Sequence, residues 1–130
     1  MRKISFETTP EFDKDLKKLC KKYKTLTEDL DVVKKAAINL YHLNSIDNNS
    51  VFPIPSFCDD EIISCKVKKF ASRSFKGKGA KSGLRLIYIF VKKDLKVILI
   101  EIYYKGNKPN EDRDRLEHYY KKLNGRGDST

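Results

Sequence analysis

Three lysines, Lys76, Lys78 and Lys81, stand in the stretch FKGKGAKS (residues 75–82), spaced by glycine and alanine. That combination suits an anion. Lysine attracts phosphate as a point charge, and glycine lets a backbone come close to it. Other cations flank the stretch: Lys66, Lys68, Lys69 and Arg73 precede it, and Arg85 follows it. Lys105 and Lys108 come after a run that ends in Tyr103-Tyr104. Arginine can fork onto phosphate, and tyrosine can stack on an unpaired base. The chemistry within reach is recognition of a polyanion, and RNA fits it best.

Such side chains act together only if the elements that carry them converge. Residues 84–92, LRLIYIFVK, are apolar on both faces, which predicts a central strand. Lys93-Asp94 reads as a turn. KVILIEIYYK (residues 96–105) predicts the next strand, with Ile98, Ile100 and Ile102 on one face and Glu101 and Tyr103 on the other. A hairpin sets the start of its first strand beside the end of its second. Arg85 and Tyr103 must therefore lie at one end, where the lysine loop also enters. Residues 61–70 predict the preceding strand, with Ile63, Cys65 and Val67 on one face and Lys66 and Lys68 on the other.

Upstream, residues 2–7 alternate as a short strand would. Thr9-Pro10-Glu11 then reads as a helix start: a hydroxyl cap, proline in the first turn, and a carboxylate near the positive end of the dipole. Phe12, Leu16, Leu19 and Tyr23 follow at helical spacing. Lys17, Lys18, Lys21 and Lys22 flank that stripe and read as a solvated face. Thr27 opens a second helix whose stripe, Leu30, Val33, Ala37, Leu40 and Tyr41, runs to about Leu43. The pair makes a helical hairpin. Residues 44–55, rich in asparagine and holding Pro53 and Pro55, read as a long loop. Residues 112–123 predict a last helix.

The chain has 130 residues, enough for one domain with a core of its own. That domain is expected over residues 1–124, with 125–130 a flexible tail whose Arg-Gly-Asp carries no weight. With 28 Lys+Arg against 18 Asp+Glu, the net charge is +10, which bears on partners rather than on fold. Nucleic acid, an acidic protein and an anionic membrane surface are the partners it leaves open.

Several classes fall away. Cys20, Cys58 and Cys65 make no C-x-x-C pair, so neither a disulfide framework nor a zinc site is expected. His42 and His118 lack ligand spacing, and Asp59-Asp60-Glu61 reads as a capping or solvated patch. No metal and no cofactor are expected. There is no P-loop, no G-x-S-x-G and no G-x-G-x-x-G. The first residues lack the apolar core of a signal peptide, and no apolar run approaches the ~18 residues that cross a bilayer. A cytoplasmic protein with no membrane partner is the expectation.

SFKGKGAKSGLRLIYIF followed by KVILIEIYYKGNK resembles the signature of the RelE/ParE superfamily of bacterial toxins. The shared pattern is a basic strand, a Gly/Lys loop, a Ser-Gly-x-Arg-aliphatic strand, and an aliphatic strand ending in Tyr and Lys. The resemblance covers most of the chain and is specific in residues 66–108. It implies an α+β fold: an N-terminal strand and helical hairpin packed on a small, curved antiparallel sheet, with a C-terminal helix. It implies a cognate antitoxin as partner. In RelE-type members it implies metal-independent cleavage of mRNA on the ribosome, with contacts to ribosomal RNA, where a 2′-hydroxyl attacks the adjacent phosphate. On this resemblance Lys76 and Lys78 become candidates for general base and phosphate binder. Arg85 becomes the clamp on the charged phosphate, and Lys105 and Lys108 match the basic position after the last strand. Crowding by like charge would lower a lysine from its usual ~10.4 toward the range of a base.

Some members carry a late tyrosine as acid or stacking partner. Pro-Asn-Glu-Asp follows Lys108 here, so Tyr103, Tyr104, Tyr119 and Tyr120 all compete for that role, with Tyr103 placed first. Two other functions stay open. A ParE-like chain would share the fold but poison DNA gyrase, and a non-catalytic module would bind nucleic acid without cutting it.

Overall fold

Thr9 starts the first helix and also ties it down. In the computed structural model, which describes residues 2–47, 49–75, 77 and 81–125, its hydroxyl oxygen accepts from the Phe12 N–H at 3.2 Å. The same hydroxyl donates to the Leu99 carbonyl at 3.2 Å, so a helix cap is also a link to the sheet. Helix α1 (Pro10–Cys20) has Pro10 in its first turn, Glu11 and Asp13 beside it, and Lys17 and Lys18 in its last turn. Proline, acids and bases stand where orphan N–H groups and the dipole favour them.

The second helical segment runs as α2 (Leu26–Val33), a π-helical turn (Lys34–Asn39) and α3 (Leu40–Leu43). Leu26, Leu30, Val33, Ala37 and Ile38 form its buried stripe. The start lies one residue before the expected Thr27, with Thr25 at the N-cap position and its hydroxyl on the Asp29 carboxylate rather than on a helix N–H.

The sheet has the order β1-β5-β4-β3-β2. Its strands are β1 (Ser5–Thr8), β2 (Val51–Cys58), β3 (Ile62–Val67), β4 (Leu84–Val91) and β5 (Lys96–Tyr104). Strands β2 to β5 pair antiparallel, while β1 joins β5 in parallel, so the sheet is mixed. Helices α1 and α2 cover one face over Phe12, Leu30, Leu86, Tyr88 and Leu99. Helix α4 (Arg113–Leu123) covers the other over Ile87, Ile89, Ile100 and Leu116. Strand β4 is thus buried on both faces, as its sequence predicts. Each fully buried Leu, Ile or Phe there contributes ~1.5–3 kcal/mol.

Two expectations need correction. Strand β2 begins inside the segment expected as a long loop, residues 44–55, and runs on to Cys58, with Pro53 and Pro55 inside it. Proline removes a ladder donor, and it is tolerated here because β2 is an edge strand with one side unpaired. A register shift between Pro53 and Cys58 spoils the period-two pattern that would have revealed the strand.

The faces of β5 also differ from the expected alternation. Ile87 pairs with Glu101 and Tyr88 with Leu99, so Ile100 is the extra residue of a bulge. Past the bulge the alternation inverts. Ile98, Ile100, Glu101 and Tyr103 share the α4 face, and Ile102 joins Leu99 on the helical-hairpin face. Arg115 donates to the Ile100 carbonyl at 2.9 Å and to Asp15 at 2.7 Å, which satisfies the strand edge beyond the reach of β1.

Candidate anion-binding site

The bulge determines which side chains meet on the α4 face. Register sets Phe52, Lys66, Ile87 and Glu101 on one rung across β2, β3, β4 and β5. Arg85 and Tyr103 form the next rung toward the loop end. Directly paired residues point to the same side of a sheet. Lys66, Arg85, Glu101 and Tyr103 therefore share one face at one end.

Tyr103 is its centre. The ring is buried, with the Lys66 ammonium 5.9 Å from its centroid and the Lys108 ammonium 5.3 Å away. Burial raises the phenol pKa, and Lys66 beside it offsets part of that rise. The hydroxyl is enclosed without a hydrogen bond of ordinary geometry among the described residues. The Arg85 guanidinium donates to the carbonyls of Lys68 at 3.0 Å and Leu84 at 3.1 Å, and among the described residues no carboxylate pairs with it.

Two carboxylates that sequence reasoning passed over complete the cluster. Lys66 Nζ lies 2.8 Å from Glu111 Oε1. Burial works against the Lys66 charge, but bonding to Glu111 and the nearby Tyr103 outweighs it and the pKa rises. Burial likewise works against the Glu111 anion, and Lys66 outweighs it and lowers that pKa. Lys108 pairs with Glu101, which is 2% exposed and also accepts the Asp112 N–H at 2.8 Å. A lone carboxylate inside the apolar run VILIEIYY was a readable signal for Glu101. Nothing local marked Glu111.

The other predicted residues are distributed as follows. Lys68 is exposed, with its ammonium 4.7 Å above the Phe52 ring. Lys81 is exposed and bridges Phe70. Lys105 is exposed, and its N–H donates to the Gly83 carbonyl at 2.8 Å. These three stand near the same end. Arg73 instead turns toward helix α2, pairing with Glu28 and lying 3.6 Å from Asp29. Lys76 and Lys78 lie outside the described residues.

The base of the lysine loop is held on both sides. On the helical side, buried Asp29 accepts from the Ser72 hydroxyl at 2.6 Å, the Thr25 hydroxyl at 2.6 Å and the Arg73 N–H at 3.4 Å. Burial opposes its charge, yet these bonds outweigh it and lower its pKa. On the strand side the Ser82 hydroxyl donates to the Phe70 carbonyl. Phe75 stacks on Tyr23 with centroids 4.5 Å apart, and both approach Tyr104. Gly83 and Gly106 leave room for that tyrosine: a Cβ on Gly83 would sit 3.0 Å from its ring, and one on Gly106 would overlap it.

Other chemistry finds little support. Among the described residues no group of three or more His, Cys, Asp or Glu is placed to hold a metal ion. His42 bonds the Tyr88 hydroxyl at 2.7 Å and stacks on Phe90, and burial lowers its pKa to about 4. Burial pushes the Cys65 thiol up to about 12, which rules it out as a nucleophile near neutrality. Among the described residues no helix is long and apolar enough to cross a membrane.

No family model matches the sequence, and no curated protein matches it. Two solved structures from Helicobacter pylori are similar in fold. One is a crystal structure of a metal-bound toxin, 22% identical, covering 82% of this chain and 99% of its own, with a TM-score of 0.48. The other is a solution structure of a conserved hypothetical protein, 21% identical, covering 80% of this chain and 97% of its own, with a TM-score of 0.47.

Proposed function

We propose that this chain is a RelE-type toxin: a metal-independent endoribonuclease that cuts mRNA on the ribosome and is restrained by a cognate antitoxin. The observation that carries the reading is the Arg85–Tyr103 rung. It sets an arginine without a carboxylate partner among the described residues beside a buried tyrosine, at the end where the lysine loop departs. In the reaction, the substrate 2′-hydroxyl gives its proton to a base and attacks the adjacent phosphorus. The bond to the 5′-oxygen breaks, and an acid returns a proton to that oxygen. One of Lys76 and Lys78 serves as base and the other binds phosphate. Arg85 stabilises the developing charge, and Tyr103 is the acid or the stacking partner. Lys68, Lys81 and Lys105, exposed at the same end, suit contacts to ribosomal RNA.

Inducing the chain without its antitoxin, with transcript ends mapped, tests this. Wild type should arrest growth and leave cut messages, and Arg85→Ala should do neither. Equal toxicity of the two would remove Arg85 from the site.

One observation favours a second reading. Lys66 and Lys108 already hold carboxylate partners, as a protein-docking surface could tolerate and a phosphate site would have to overcome. A ParE-like gyrase poison would then trigger a DNA-damage response with messages intact.

A further inference from the structure

The site has cations, but two of them are already occupied. Lys66 is held by Glu111 with side chains only 15% and 9% exposed, and Lys108 by Glu101. The two carboxylates are built differently. Glu101 belongs to β5, is fixed by the Ile100 bulge, and has a second donor in the Asp112 N–H. Glu111 belongs to the irregular connection between β5 and α4, and its other side-chain donor is Arg113 at 3.4 Å. Its carboxylate sits on the Lys66 ammonium, and the neighbouring Asp112 N–H on Glu101 holds the same connection to the sheet. A carboxylate and a phosphodiester each bring one negative charge and acceptor oxygens to an ammonium. Beside this pair the Tyr103 hydroxyl is enclosed without a hydrogen bond of ordinary geometry among the described residues, with Lys66 as its polar neighbour. A buried polar group left in that state gains from any ligand that supplies an acceptor.

Resting on the RNA reading above, we propose that Glu111 is an in-chain stand-in for phosphate, seated on Lys66, and that a phosphodiester of single-stranded RNA displaces it. The seat is the Lys66 ammonium with the Tyr103 hydroxyl beside it. The covering group is the Glu111 side chain, which must swing off Lys66 for RNA to enter, while the Asp112 N–H stays on Glu101. The measured affinity is then the intrinsic affinity reduced by the fraction of molecules with the seat open. Lys66 and Glu111 come from positions 45 residues apart, so the contact exists only in the folded chain.

The test is a gain of binding, which unfolding cannot mimic. Purified full-length wild type and Glu111→Gln are titrated onto a short labelled single-stranded RNA at fixed salt, with thermal melts as a check on folding. Glu111→Gln should bind about tenfold tighter, the effect of freeing a seat that is closed in roughly nine molecules of ten. Glu117→Gln, which removes the same charge from an exposed pair with Lys121, controls for net charge and should change binding less than about twofold. Adding Lys66→Met to Glu111→Gln should abolish the gain. Should Glu111→Gln fail to fold, Glu111→Asp serves instead, because it withdraws the carboxylate by one methylene and should also bind tighter. Equal binding by wild type and the Glu111 variant overturns this inference alone. Absence of RNA binding by both overturns it together with the RNA reading.

Discussion

Ser72 donates a 2.6 Å hydrogen bond to Asp29, 43 residues earlier, and that bond joins the base of the lysine loop to the start of helix α2. Thr25, Arg73 and Ser74 close the same network, with the Thr25 N–H on Ser74 Oγ at 3.1 Å. Asp29→Ala would leave Ser72 and Thr25 without their acceptor. It should cost about 2–3 kcal/mol, since bonds to a buried charge exceed the ordinary ~1 kcal/mol. Denaturant unfolding measures the loss. A cost under about 0.5 kcal/mol would show that the latch is ornamental.

His42 makes stability sensitive to mild acid. Its folded pKa, lowered by burial to about 4, lies below the ~6.5 of an unfolded histidine. Between those values the unfolded chain binds the extra proton, so stability should be full above about pH 6.5 and fall toward pH 4. Asp29 adds to the loss only at lower pH, because its pKa is also depressed. Urea midpoints measured across this window should decline for wild type and much less for His42→Phe.

Tyr103→Phe separates two roles for one ring. Among the described residues the hydroxyl has no hydrogen bond of ordinary geometry, though Lys66 lies beside it, so thermal stability should change by less than about 1 kcal/mol. With RNA saturating, so that any loss of binding is overcome, a stacking role leaves cleavage near wild type. An acid role slows that saturated cleavage by about 100-fold or more. Single-turnover cleavage read alongside binding distinguishes them.

Gly106→Ala places a methyl group into the Tyr104 ring. The ring must shift, which disturbs its packing on Tyr23 and Phe75. Overpacking of this kind costs about 1–3 kcal/mol. A smaller alanine in place of Tyr104 should relieve it, so the double variant Gly106→Ala/Tyr104→Ala should lose less than the two single changes added together.

Much of this was local and therefore readable in the sequence. The cap at Thr9, the Leu30, Val33 and Ala37 part of the second helical stripe and the two-faced apolar run of β4 each follow from the period of one element, whereas the π-helical turn buries Ile38 and leaves the expected Leu40 and Tyr41 half-buried. The proximity of Arg85 and Tyr103 follows from a two-strand hairpin with a short turn, whatever the register, and they pair directly. What only the tertiary structure decided depends on contacts between distant segments. The bulge at Ile100 moves Glu101 and Tyr103 onto one face with Ile98, against a simple count of alternation. Pro53 and Pro55 sit in a strand because that strand took the sheet edge, which residues 44–55 alone do not reveal. Asp29 beneath Ser72 and Glu111 upon Lys66 are pairings 43 and 45 residues apart. The sequence by itself supplied the cations and the pairing end of Arg85 and Tyr103, but not the turn of Arg73 toward α2. Folding decided which of them carry a carboxylate, because charge pairing in a buried site depends on which backbones the sheet brings together.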